Sequence, residues 1–150
     1  MKDPYQVIHD MAYYLLKKAA TVLPKDVEHA IKAAHERETN ETAKTQLAAI
    51  LTNIEIARTG VPMCQDTGII IFYVKVGDKF PFIGEIKSAL TNATKKATAD
   101  IPLRPNAVNP IVGGNSGDNT GVKIPWINWE IIEGNSLEVT VFPKGGGSEN

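Results

Sequence analysis

The residues best suited to chemistry lie in Pro62-Met63-Cys64-Gln65-Asp66-Thr67-Gly68, where the only cysteine of the chain stands beside a carboxamide and a carboxylate. A thiolate is a metal ligand or a nucleophile, and a neighbouring carboxylate can carry a proton. A nucleophilic cysteine wants a histidine base within reach. His9, His29 and His35 fall in distant segments of helical periodicity, without cysteine or carboxylate at ligand spacing, and read as surface or packing residues. Iron ligation is then the better functional reading of Cys64. One thiolate cannot hold an iron–sulfur cluster, so this reading requires donors that the chain does not contain. The bland alternative is a small core hydrophobe, the common fate of a lone cysteine.

Two further segments resist regular structure. Asp100 to Gly121 is rich in Pro, Gly and Asn and long for a connection inside one domain. Its glycines let backbone N–H groups approach an anion, and Arg104 has the planar fork that grips a carboxylate through paired hydrogen bonds. Lys144-Gly145-Gly146-Gly147-Ser148-Glu149-Asn150 places a cation before three glycines, like an anion-cradling nest, but lacks the spacing of a phosphate-binding P-loop. A plain surface loop and an anion- or nucleotide-binding module both remain open on these residues alone.

The elements that must position these groups follow from hydrophobic period. Asp3 is a good N-cap with Pro4 at the first helical position, and Val7, Ile8, Met11, Ala12, Leu15, Leu16 and Ala19 recur at helical spacing up to Leu23-Pro24. A second helix spans about Lys25 to Glu38. A third starts from an Asn40 cap and runs through Ala57 until Gly60 and Pro62 stop it. Ile69 to Val76 is a β-rich apolar run ended by Gly77-Asp78, and a further helix is expected over about Gly84 to Ala97, with Lys87, Lys95 and Lys96 on its solvated face. Trp126 to Ile132 and Leu137 to Phe142 alternate like strands joined by Glu133-Gly134-Asn135-Ser136, which suggests an antiparallel hairpin whose tryptophans cover a core. Helices followed by strands point to an α+β domain, with N-terminal helices packed on a small mixed or antiparallel sheet and long Gly/Pro/Asn loops.

At 150 residues the chain is the size of one ordinary domain, 1–150. Lys and Arg number 16 against 17 Asp and Glu, a net charge of -1 without a block of one sign, which disfavours nucleic acid and anionic membranes as partners. No stretch is long enough to span a bilayer, the first residues lack an apolar signal core, and one cysteine rules out an internal disulfide framework. A reducing cytoplasm fits best.

Taken in order, Pro62 to Gly68, Leu103-Arg104-Pro105-Asn106, Asn115-Ser116-Gly117-Asp118-Asn119 and Lys144 to Asn150 resemble the class I, iron–sulfur-dependent fumarate hydratase family. The likeness is to the N-terminal part of the α subunit, the form also seen in L(+)-tartrate dehydratases, and it covers essentially the whole chain. It implies a hydro-lyase that adds or removes water on a C4 dicarboxylate, and a [4Fe-4S] cluster held by three cysteines, with Cys64 similar to the first. Gln65 and Asp66 resemble a substrate-contacting pair, with Asp66 implied in proton transfer. Arg104 matches an arginine that binds the substrate carboxylate, and Gly117 a glycine whose backbone approaches it. The other two cysteines, the carbon base and further arginines of the family lie in segments beyond these residues or in a β subunit or C-terminal domain. The resemblance therefore implies a fragment of a longer α subunit, inactive alone and working in an oligomeric assembly; the other expectation is a non-catalytic interaction module, marked by a contiguous apolar patch.

Overall fold

A computed structural model describes residues 3–64, 66, 69–109 and 111–145. Helix α1, Pro4–Thr21, starts where the Asp3 side chain accepts from the Tyr5 N–H at 3.3 Å, and it buries Ile8, Ala12 and Leu16 at a spacing of four. Helices α2, Lys25–Arg37, and α3, Glu41–Ala57, follow, the latter capped by the Asn40 side chain on the Ala43 N–H. Strand β1, Ile69–Gly77, leads to α4, Ile83–Asp100, then β2, Trp126–Ile132, and β3, Leu137–Lys144. The architecture is α+β, as its order of periodicities suggests.

The sheet order is β2-β1-β3, with β1 parallel to β2 and antiparallel to β3. The hairpin expectation is therefore corrected. The strands Trp126–Ile132 and Leu137–Lys144 do not pair with each other, because β1 lies between them. Their connection must cross two interstrand spacings, roughly 10 Å, over the end of β1. Gly77 makes the crossing possible, since a Cβ there would stand 2.2 Å from the Gly134 carbonyl oxygen. Backbone hydrogen bonds from Gly77 to Ser136, Asp78 to Ile132 and Lys79 to Gly134, each 2.8 Å, lash the crossing down. The Asp78 carboxylate accepts from the Gly134 N–H at 2.9 Å as well.

Alternation along β1 sends Ile70, Phe72, Val74 and Val76 into a core shared with Ile8, Ala12 and Leu16 of α1 and Ile86, Ala89, Leu90, Ala93 and Ala97 of α4. Two helices thus cover one face of the sheet. Helices α2 and α3 contribute nothing to that cluster among the described residues. They pair with each other instead, through Glu28, whose nearly buried carboxylate meets Lys32 at 2.6 Å and the Arg58 guanidinium. Hydrogen bonding from Lys32, helped by the charge of Arg58, holds the Glu28 carboxyl below its ordinary range despite burial.

The opposite face of the sheet is open. It carries Ile69, Tyr73, Trp126 and Phe142, all exposed, the last two at 53%. Trp126 does not cover a core as expected but lies on this open face, whereas Trp129 stands opposite Val74 on the helix-covered side, 45% exposed on the edge strand β2. Lys87, Lys95 and Lys96 are exposed, as expected of a solvated face; Lys96 also ion-pairs with Asp100 at 2.6 Å and sits over the Tyr13 ring, and Lys95 faces Asp118 at 3.7 Å.

Candidate functional site

The turn that carries Cys64 is held from two sides. The Met63 N–H donates to the Ala20 carbonyl at the end of α1 at 2.9 Å, and the Asn53 side chain of α3 donates to the Met63 carbonyl at 2.8 Å. Cys64 itself is exposed and free of any disulfide. Asp66 follows, half-buried, and the pairing of Ile69 with Lys144 brings the start of β1 beside the end of β3. Gly145, the next residue, comes so close to Asp66 that an added Cβ would lie 3.3 Å from its Oδ2. Any larger residue here would press on this carboxylate, which would have to give by a few tenths of an ångström.

The long loop closes the third side. Asn106 Nδ2 donates to Asp66 Oδ1 at 3.3 Å across forty residues of sequence. The Cys64 turn, the loop after α4 and the end of β3 thus converge at Asp66, Asn106 and Gly145. Arg104, exposed, is two residues from Asn106, and its carbonyl accepts from the buried Asn119 side chain at 3.1 Å. Gly117 is exposed at φ +77°, in a turn where the Asn115 side chain accepts its N–H at 2.8 Å. Asn115 also donates to the Pro105 carbonyl at 2.9 Å, which ties that turn to the Arg104 segment. Gln65 and most of the glycine-rich tail lie outside the described residues.

Asp118 illustrates the rigidity of this loop. Burial pushes its carboxyl up, but hydrogen bonds from Thr120 and Ser116 and the charge of Lys95 outweigh that and hold it low. The Thr120 hydroxyl donates to it at 2.6 Å.

Asn119 had no role assigned from sequence. At 1% exposure it is the most enclosed polar residue of the loop, and the signal for it was present as an asparagine in a glycine-rich run, where a left-handed residue is common. A separate groove of about 670 Å³, lined by Ile69, Val108, Val112, Val122, Ile124 and Trp126 among others, opens beside the loop. Neither Asp66 nor Arg104 lines it, and its apolar walls suit polypeptide better than a dicarboxylate.

The match to known proteins adds to this geometry. A family model described as fumarate hydratase (fumerase) matches residues 9–150.

The chain belongs to the fumarate hydratase family.

Within that family it is 41% identical over 148 residues to the putative L(+)-tartrate dehydratase subunit alpha of Methanocaldococcus jannaschii, covering 95% of this chain and 52% of the relative. It is 41% identical over 130 residues to the L(+)-tartrate dehydratase subunit alpha of Escherichia coli K12, covering 85% of this chain and 43% of the relative. The chain thus spans about half the length of the curated relatives it matches. No group of three or more His, Cys, Asp and Glu side chains able to hold a metal occurs among the described residues. Cys64 offers one accessible sulfur, a donor that fits one corner of an iron–sulfur cluster and is too few to hold one alone. No described helix is long and apolar enough to cross a membrane.

Proposed function

We propose that this chain supplies one wall of the active site of a hydro-lyase that reversibly adds or removes water on a C4 dicarboxylate, fumarate and malate or tartrate and oxaloacetate. The observation that carries the reading is the meeting of Asp66 with Asn106 and Gly145 directly after the exposed Cys64. Membership of the fumarate hydratase family and likeness to tartrate dehydratase α subunits support the reaction class.

Dehydration breaks a C–O bond and removes a proton from the adjacent carbon. Hydroxide is a poor leaving group, so a proton must reach the departing oxygen. Asp66 is the donor in this reading, held by Asn106. Arg104 receives a substrate carboxylate through its two-pronged guanidinium, and Gln65 and the Gly117 backbone contact the substrate. A [4Fe-4S] cluster, when bound, would supply Lewis acidity at the hydroxyl, and Cys64 is the residue of this chain that would help to hold it. The carbon base and two further thiolates come from the rest of the α subunit, of which 1–150 is one domain, or from a β subunit.

The open face favours such an assembly. Exposed Ile69, Tyr73, Trp126 and Phe142 continue into Val108, Val112 and Val122 of the loop, an apolar surface of the kind that partners cover. The cytoplasm, with its reduced thiols, is the compartment we infer for it.

The deciding experiment is anaerobic reconstitution of the complete assembly with iron and sulfide, followed by hydration and dehydration assays on fumarate, malate and L-tartrate. Activity that disappears with Cys64→Ala and Asp66→Asn is expected. Full activity in both variants would refute the reading.

A further inference from the structure

We infer that Asn119 is a positioning residue that sets Arg104 and Asn106 against Asp66; the inference rests on the functional reading above. Arg104 and Asn106 flank Pro105, which has no N–H to give, and the segment lies outside helix and sheet. Its backbone must be tied down by side chains. Asn119 does this from both ends: its Oδ1 accepts the Asn106 N–H at 2.7 Å and its Nδ2 donates to the Arg104 carbonyl at 3.1 Å. The second Nδ2 proton goes to Thr98 Oγ1 on α4 at 3.2 Å, so the clamp is anchored to the core helix.

Both amide protons and the carbonyl oxygen of this side chain are therefore engaged, in a site where only 1% of the residue meets solvent. Its φ of +57° is a conformation that Asn and Gly adopt with little strain and most residues do not. The line of contact runs from Thr98 through Asn119 to the Arg104-Pro105-Asn106 backbone, and from the Asn106 side chain to Asp66. Asn119 touches neither Asp66 nor the proposed substrate, and acts through these neighbours. Aspartate in its place would keep the Oδ1 acceptor but set its second oxygen against the Arg104 carbonyl, acceptor against acceptor.

The test uses Asn119→Gly, which keeps the backbone conformation and removes only the side chain. In the 150-residue chain, hydrogen exchange at the Asn106 amide should rise about tenfold or more, as expected for loss of a buried hydrogen bond. The Ile101 amide, bonded within α4, should keep its rate. In the reconstituted assembly KM for the dicarboxylate should rise about tenfold as Arg104 loses its place, and kcat should fall about tenfold as Asn106 loses its hold on Asp66. Thr98→Val removes the bonds from α4 to the Asn119 amide and to the Asp118 carbonyl but leaves those to Arg104 and Asn106, so it should lower the melting temperature while KM rises clearly less than in Asn119→Gly.

Unchanged exchange at Asn106, or unchanged KM and kcat in an assembly that Asp66→Asn inactivates, overturns the role of Asn119. So does an equal KM shift in Thr98→Val, which would trace the effect to general loosening. Should Asp66→Asn and Arg104→Lys both leave the assembly fully active, the functional reading falls, and with it the catalytic part of this inference. The exchange measurement would still decide whether Asn119 clamps the loop.

Discussion

The Asn106 side chain donates to Asp66 Oδ1 at 3.3 Å, joining the loop after α4 to the turn before β1. A carboxamide N–H orients a carboxylate without neutralising it, which leaves Asp66 able to take and return a proton. In the reconstituted assembly Asp66→Asn should lower kcat by at least ~100-fold, the usual scale for general acid–base groups. Asn106→Ala should cost about tenfold, one hydrogen bond's worth. Steady-state assays with both variants check the ranking; an Asn106 effect larger than that of Asp66 would reverse the assignment.

Gly77→Ala should destabilise the fold although it adds only a methyl group. The new Cβ would stand 2.2 Å from the Gly134 oxygen and 2.7 Å from the Asn135 nitrogen, both backbone atoms that cannot rotate away. Overpacking of this kind costs about 1–3 kcal/mol, or roughly 3–12 °C in melting temperature for a chain of this length. A thermal melt followed by circular dichroism reads it directly. A melting point equal to wild type would mean that the β2 to β3 crossing is looser than described.

Glu28 predicts an acid-sensitive α2–α3 pair. Its carboxyl titrates below the ordinary range when folded, so its contribution to stability is present above the unfolded-state value and is lost as pH falls through the folded one. Acid titration should therefore loosen α2 against α3 below about pH 4.5. Glu28→Gln should be less stable at neutral pH and should lose part of this acid dependence. Melting curves between pH 3 and 7 (on the order of the range where carboxylates titrate) give the comparison, and parallel curves for the two proteins would exclude the ion pair as the cause.

Cys64 should react in the native 150-residue chain, because its thiol is exposed and unpaired in any disulfide. A thiol reagent such as iodoacetamide should label one site per chain without denaturant, as read by intact mass. In the reconstituted assembly the same thiol should be protected until the cluster is removed by oxidation. Labelling at equal rates before and after reconstitution would dissociate Cys64 from iron.

Much of this was legible in the sequence. The helices α1, α3 and α4 and the strand β1 follow from apolar period, and Asp3-Pro4 and Asn40 mark helix starts by local hydrogen bonding that needs no tertiary context. The motif residues Cys64, Asp66, Arg104 and Asn106 were named by type and order. The antiparallel hairpin was not there, since a short Gly/Asn connection is compatible with adjacent strands and with strands that straddle a third. Local pattern holds no information on which strand fills the middle.

Sequence alone determined the elements, the family motifs and the single cysteine, because periodicity, caps and residue chemistry are local properties of the chain. Tertiary structure alone decided that β1 lies between β2 and β3, that Trp126 faces outward, and that Asn106, Gly145 and Asp66 meet. Those contacts join residues tens of positions apart. They depend on strand register and on a buried asparagine holding an irregular loop, which are set by packing and hydrogen-bond satisfaction across the whole molecule.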